Sequence, residues 1–482
     1  MKKIFLQLAL TLVSVASVAQ NINLQEDTTV NNLYDSRQGS CALADIDNDG
    51  DLDLIITGAD AQLTNRKTTL YSNDGLGNFT EEIGTGLSNW SEGGKIAFAD
   101  VDGDADQDLL ITGRDSSPNY YANFYLNDGS GNFTPDTTQP FEPSIGGNIE
   151  FADIDNDGDL DLFMTGRDNN NLIFSKLYQN GGTGGFSEVT STPFLSVGGS
   201  ASAFFDMDND NDLDLILAGK NNSNQKKTML YENDGSGNFS LVSNTPFENV
   251  DFAAIVIDDS DNDSDLDVLI NGENDSGLPV CQLYLNDGTG AFNLLVGTPF
   301  IQTAVGTVDF ADFDNDNDMD VLVTGSVGGQ TFAAHIYENQ GMNNFSLVDT
   351  LETVYLSSTA LGDIDNDNDI DAIIIGIAQL SADIHKPRVY ENMLTTLSIE
   401  NTTDSYRENT LIYPNPSSGI LNIQTNYTFT PSIKIYNLIG ELVFSEDNLS
   451  PNSKISLNKP PGIYMVVVKT NRSTSTSKLI LK

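Results

Sequence analysis

The chain has 482 residues, of which 70 are Asp or Glu and 22 are Lys or Arg, for a formal net charge of −48. That acidity excludes a general nucleic-acid binder and docking on an anionic membrane, both of which need a basic surface. A hydrophobic fraction of 39% with 24 Phe and 16 Tyr excludes an acidic disordered chain, and two cysteines exclude a disulfide scaffold. The length is too great for one ordinary core and calls for a large repeat domain or several domains.

At the N-terminus, Lys2 and Lys3 precede an apolar run over 4–18, closed by Ser17-Val18-Ala19. A short cationic region, an apolar stretch and small residues before a cleavage point describe a secretory signal over 1–19, cut before Gln20. The run is shorter than the ~20 residues that span a bilayer. An exported chain without a membrane span is therefore expected.

One string then recurs: DIDNDGDLD (45–53), DVDGDADQD (100–108), DIDNDGDLD (153–161), DMDNDNDLD (206–214), DSDNDSDLD (259–267), DFDNDNDMD (312–320) and DIDNDNDID (363–371). Self-similarity at a period near 53 residues marks a propeller or solenoid. Each string is preceded by an extended segment, as over 96–99 and 149–152, and followed by a short apolar run that does not alternate, so both of its faces are buried. A Gly and then Tyr-x-Asn come next, at Tyr71, Tyr125, Tyr178, Tyr231, Tyr284, Tyr337 and Tyr390. Most copies continue into NDGxGxF, a tight hairpin requiring positive φ. Four antiparallel strands per unit, A to D, repeated seven times, predict an all-β fold: a seven-bladed propeller over 20–394. The seventh unit ends after Asn392 without a strand D. Asn23 lies 22 residues before Asp45, much as Asn132 lies 21 before Asp153, so the N-terminal segment is expected to supply the missing outer strand. A linear solenoid would not need such complementary ends.

Each string carries five aspartates: Asp45, Asp47, Asp49, Asp51 and Asp53; Asp100, Asp102, Asp104, Asp106 and Asp108; Asp153, Asp155, Asp157, Asp159 and Asp161; Asp206, Asp208, Asp210, Asp212 and Asp214. The remaining three hold Asp259, Asp261, Asp263, Asp265 and Asp267; Asp312, Asp314, Asp316, Asp318 and Asp320; Asp363, Asp365, Asp367, Asp369 and Asp371. Positions 1, 3, 5 and 9 can converge their carboxylates while position 7 offers its carbonyl. An all-oxygen cage suits Ca²⁺, up to seven ions in all, better than Zn²⁺ or Cu²⁺. It is not an EF-hand, because position 12 of the first copy is Ile56 rather than Glu. Position 6 is Gly or Asn in five copies but Ala105 in the second and Ser264 in the fifth. Ala and Ser tolerate positive φ poorly, so those two loops are expected to bind most weakly.

The DxDxDGxxD loops, the apolar strand and Tyr-x-Asn-x-Gly resemble FG-GAP/VCBS repeats, as in the integrin α-chain propeller, over 22–394. The resemblance implies calcium loops that stabilise the blades and a ligand on the opposite face. That face collects the B–C and D–A loops. The variable B–C segments hold ten of the propeller's twelve basic residues, and a polarised molecule follows, acidic on one face and mixed on the other. Arg114, Arg167, Lys220 and the single Trp, Trp90, are the candidate ligand contacts, for a glycan or a surface protein, on a monomeric propeller. Cys41 falls in an apolar column and Cys281 in a distant blade, so no pairing is expected. His335 and His385 stand without a nucleophile motif. An enzyme, such as a polysaccharide lyase, remains the alternative, with Glu150 and Asp309 as the only carboxylates of the channel column. A purely structural surface protein is a further one.

Residues 395–408 are polar and read as a linker. Over 409–482 the charge reverses, and alternating runs at 420–424, 433–436, 463–468 and 478–481 read as a small Ig-like sandwich. Tyr413-Pro414-Asn415-Pro416, Gly419, KIYNLIGELV (434–443), Gly462-Ile463-Tyr464 and the terminal KLILK resemble the type A sorting domain of the bacterial type IX secretion system. The resemblance implies contact with that machinery and a released or surface-held product outside a Gram-negative cell.

Overall fold

A computed structural model describes residues 22–30, 32–60, 65–88, 92–115, 119–378, 386–394, 410–413, 417, 419–425, 432–437, 442–446, 452–457, 459–469 and 474–482. The signal segment, Trp90, His385 and the linker lie outside the described residues. The chain divides into two compact units, 1–394 and 395–482.

The described residues of the first unit are all-β, seven blades in a ring. Blade 1 is Cys41–Ala44, Asp53–Ala59, Arg66–Asn73 and Phe79–Glu81, strands A to D, and blades 2 to 5 repeat that antiparallel order. Strands A of successive blades lie side by side, and strand A of blade 1 also touches the strand Phe345–Gly362 of the last blades, which closes the circle. Leu24–Glu26 pairs with Arg388–Asn392, Leu24 opposite Asn392, as the outer strand of blade 7.

Strand B explains why its apolar run does not alternate. Leu54 and Ile56 enter the seam with blade 7, whereas Ile55 enters the seam with blade 2. Both faces of the strand are core, and all three side chains are fully buried, each contributing roughly 1.5–3 kcal/mol. Seven such apolar clusters fill the seven seams. In blades 3 to 6 each cluster is keyed by an edge-on aromatic pair, such as Phe194 with Tyr231 at 5.2 Å.

Blades 6 and 7 depart from the regular pattern. Phe345–Gly362 runs unbroken from strand D of blade 6 into strand A of blade 7, fusing both blades and the N-terminal strand into one seven-stranded sheet. The segment 349–358 contains no Gly or Pro, so nothing there ends the extended chain.

The second unit holds two sheets, of three and four strands, around Leu421, Ile433, Ile435, Val466, Val468 and Leu479. Thr410–Tyr413, Leu442–Glu446 and Asn452–Ser456 are strands that the alternating pattern did not reveal.

Candidate functional site

Each Asp string is the turn between strands A and B, and its carboxylates divide the work. Position 1 caps the turn: Asp153 Oδ1 accepts from the Asp157 N–H at 3.1 Å and its Oδ2 from the Gly158 N–H at 3.1 Å. Position 5 accepts the N–H of position 7, as Asp157 does from Asp159. Position 9 is buried and accepts two backbone N–H groups, those of position 2 and of the Tyr-x-Asn asparagine, in every blade but the third, where Asp161 takes only the Asn180 N–H and keeps Oδ2 unpartnered. For Asp214 these are Met207 at 3.1 Å and Asn233 at 2.8 Å. Position 3 is left over. One carboxylate oxygen of Asp102, Asp155, Asp208, Asp261, Asp314 and Asp365 is buried with no hydrogen-bond partner, and in blade 1 Asp45 plays that part.

Carboxylate oxygens of Asp45, Asp47 and Asp53 lie within 4.8 Å of one another, as do those of Asp100, Asp102 and Asp108, and of Asp153, Asp155 and Asp157. Burial, opposed by the backbone N–H bonds, raises Asp53 and Asp267 to about 6, Asp108, Asp161, Asp214 and Asp371 to about 7, and Asp320 to about 8. Closely spaced, desolvated carboxylates with orphaned oxygens fit a bound cation, whose charge and vacant coordination supply what the backbone does not. These clusters are disposed to hold metal ions. Position 6 takes positive φ in all seven loops, including Ala105 (φ 74) and Ser264 (φ 77).

Two roles escaped the sequence reading. Position 7 ties blades together through its side chain. Asn48 Nδ2 donates to Asp106 at 2.7 Å, Asn156 to Asp212, Asn209 to Asp265 and Asn262 to Asp318, and Asn366 of blade 7 donates to Asp51 of blade 1. Gly103 replaces that asparagine in blade 2. The NDG glycine sits over the same carboxylate: a Cβ on Gly129 (φ 70) would lie 2.5 Å from Asp106 Oδ1. The asparagine of Tyr-x-Asn is the second device. Its amide donates to the position-2 carbonyl of the preceding blade, from Asn127 to Ile46, Asn233 to Ile154, and across the closing seam from Asn73 to Ile364 at 2.8 Å. Its invariance across seven copies was the available signal.

On the opposite face, the mouth of the central channel is a cavity of about 520 Å³ that gathers Arg114, Arg167 and Lys220 together with Lys95. Most of the basic residues of this face are paired with carboxylates. Glu92, buried, binds both Arg114 (2.6 Å) and Arg66 (2.5 Å). Burial pushes Glu92 up, but those two guanidiniums outweigh it and hold its pKa below the usual value. Buried Asp251 likewise binds Lys220 (2.9 Å) and Lys226 (2.8 Å), and Lys176 pairs with Glu142 and Glu188. The acids come from D–A loops and neighbouring strands, distant in sequence from their partners. Arg167 donates to the Asn171 carbonyl and has no carboxylate partner among the described residues.

A backbone collar rims the mouth. Gln38, Gly93, Gly146, Gly199, Phe252, Val305 and Leu356, one per blade, all take positive φ between 48 and 70. Gly93 N–H donates to the Gln38 carbonyl, Gly146 to Gly93, Gly199 to Gly146, Val305 to Phe252 and Leu356 to Val305. Left-handed backbone costs an L-residue roughly 1–2 kcal/mol, so glycine is the cheap choice, and blades 2 to 4 use it.

Deeper in the channel, Glu150 accepts from Ser202 Oγ (2.9 Å) and the Phe204 N–H (3.0 Å), while Asp309 accepts from Thr359 Oγ1 (2.7 Å). Burial raises Glu150 to about 7 against those two hydrogen bonds. A carboxyl raised in the fold keeps its proton there after the unfolded chain has lost it, so stability falls as pH climbs from about 4.5 to 7. Glu150→Gln should remove that loss. Its stability advantage over the wild type should grow to about 1–3 kcal/mol by pH 8, read from denaturant melts at stepped pH. A constant difference across the range would exclude the effect. Cys41, which meets Ser358, and Cys281 are both free and buried, and His335 faces Tyr337 Oη at 3.2 Å.

A family model described as an FG-GAP-like repeat matches 45–111, 106–164, 153–217, 206–270 and 259–323. A second, described as a secretion system C-terminal sorting domain, matches 411–482. Among solved structures, PorZ of Porphyromonas gingivalis, a surface component of its type-IX secretion system, aligns at 12% identity over 89% of this chain, with a TM-score of 0.39. The chain spans 58% of PorZ's length. AofleA of Arthrobotrys oligospora aligns at 9% identity over 75% of this chain and 94% of its own, TM-score 0.39. The exotype rhamnogalacturonan lyase YesX aligns at 13% over 92% and 72%, TM-score 0.28. No curated protein matches the chain.

Proposed function

The chain belongs to the FG-GAP-like repeat family and is exported to the cell surface or beyond by its type IX sorting domain, and from this premise we propose that it is a calcium-loaded binding module whose loop face holds a glycan or a surface protein. One observation carries the reading: Arg114, Arg167 and Lys220, one from each of three successive blades, meet at a single cavity at the end of the channel remote from the Asp loops. Variable loops on a rigid ring are where recognition usually resides. In this reading the Asp loops are structural. Asp47, Asp49 and Asp53 and their six counterparts hold Ca²⁺ together with position 1, Asp51 and its counterparts give a carbonyl, and the ions lock the turns from which the blades hang. Polysaccharide cleavage would need an acid–base pair at the mouth, and neither Glu150 nor Asp309 lines it.

A glycan and surface-protein screen tests the proposal, run with excess calcium and with chelator. Binding should require calcium, and replacing Arg114, Arg167 and Lys220 together should cost at least tenfold in affinity. Unchanged binding by the triple variant would remove the loop face from the account. Turnover of a polysaccharide would replace the module with an enzyme.

A further inference from the structure

The collar that rims the mouth is asymmetric, and the asymmetry matches the charges. Where Gly93, Gly146 and Gly199 form it, the collar carries no side chain. In the next three blades the same left-handed position carries Phe252 (φ 48), Val305 (φ 59) and Leu356 (φ 49). A β-branched or bulky residue is a true outlier there, and strain of that kind persists where the surrounding structure over-determines it and clusters at ligand clamps and active sites. All three side chains belong to residues lining the cavity, and Phe252 is 46% exposed. Its ring carries the Lys220 ammonium 5.3 Å from the centroid, so the apolar wall and the basic arc adjoin.

Lys95 stands further in, on the lining of the same cavity. Its ammonium makes no ion pair or hydrogen bond among the described residues, and burial lowers its pKa, opposed by the charge of Asp309. The cavity therefore offers two basic residues outside the ion pairs above, Arg167 and, beside the charge of Asp309, Lys95, together with a strained apolar wall. Ser200, Ser357 and Ser358 also line it, their hydroxyls bonded to Thr165, Thr324 and the Cys41 N–H and each keeping a further lone pair.

Resting on the loop-face reading above, we propose that the mouth is a subsite for the terminal uronic acid of an acidic glycan, its carboxylate taken by Lys95 and Arg167 and its apolar C–H face laid on Phe252. A sugar acid combines, within one ring, the anion, the hydroxyls and the flat apolar face that the cavity presents. An acidic peptide would leave the wall and the serines without a use.

The test uses the full calcium-loaded chain with oligogalacturonate as probe, neutral cello-oligosaccharide and poly-glutamate as comparators, and the variants Phe252→Gly, Val305→Gly and Arg167→Gln. Oligogalacturonate should bind, and the comparators should bind at least tenfold more weakly. Phe252→Gly should lose about tenfold in affinity while its melting temperature holds or rises, because glycine relieves the strain. A wall kept only for packing would instead lower the melting temperature in both glycine variants, which would overturn the proposal. Equal binding of poly-glutamate and oligogalacturonate would also overturn it, in favour of an acidic protein. If no uronate binds the wild type, the subsite falls. The loop-face reading then stands or falls separately, on whether another glycan or surface protein is lost in the triple variant.

Discussion

Chelation of the Asp loops is expected to unfold the propeller, with EDTA lowering the melting temperature by more than any single substitution. The backbone donors of a loop are spent on positions 1, 5 and 9, and in six blades position 3 keeps a buried oxygen with no partner. Without a cation, the carboxylates of each cluster repel one another across less than 4.8 Å. A site with free ion at a hundred times its dissociation constant adds about 2.7 kcal/mol to the folded state. Seven such sites add roughly 19 kcal/mol if the ring melts as one unit, which exceeds the ~5–15 kcal/mol total of an ordinary domain. The calorimetric melt should therefore collapse in EDTA and recover with excess calcium, and only partly with magnesium, which requires a stricter octahedron. Position 6 supplies an internal control. Ala105→Gly and Ser264→Gly relieve a left-handed backbone (φ 74 and 77) and should each raise calcium affinity and stability by about 1 kcal/mol. Identical melts with and without EDTA would undo the calcium assignment.

What could be read in advance, and what could not, follows from where the information lies. The apolar runs 54–56, 109–111 and their counterparts announced themselves because each residue is dictated by one of two seams, and both seams are apolar. The Asp strings did so because one turn is repeated seven times. The fused strand Phe345–Gly362 was hidden by its resemblance to its neighbours, and only the missing turn residues over 349–358 betray it. The ion pairs were hidden for a different reason. Arg114 and Arg66 converge on Glu92 from two blades, and Lys220 and Lys226 on Asp251, so the pairing is a property of the ring rather than of any segment. Lys95 was hidden because it precedes a strand A rather than sitting in a variable B–C segment, yet it lines the mouth. The collar was invisible in blades 5 to 7, since nothing in Phe252, Val305 or Leu356 signals positive φ; the Gly-Gly pairs at 93–94, 146–147 and 198–199 were the only trace.

Substituting aspartate for the Tyr-x-Asn asparagine is expected to cost the most of any single isosteric change, about 3–5 kcal/mol, because it places an unpaired buried charge against carbonyl oxygens. Asn233 Nδ2 donates to Ile154 O at 2.8 Å in the preceding blade and to Leu213 O at 3.1 Å in its own. A carboxylate there would face both acceptors with nothing to donate, beside Asp214. Asn73 makes the corresponding bonds to Leu52 and Ile364, and the second crosses the seam between the first and last blades. That seam differs from the other six in its covalent support. Successive blades are joined by a D–A connection, whereas blade 7 is joined to blade 1 only through Leu24–Glu26, a three-residue strand. The same seam also depends on Asn366 bonding Asp51 and on the cluster that packs Ile373, Ile375 and Val389 against Leu54, Ile56 and Tyr71. Asn73→Asp and Asn233→Asp should therefore lower the urea midpoint alike. Only the former should also raise amide exchange in Arg388–Asn392, because opening that seam strands the outer edge of blade 7 without breaking any other. Equal exchange in the two variants would mean that the ring opens elsewhere first. A midpoint shift worth less than about 1 kcal/mol would mean that the asparagine does not hold the blades together.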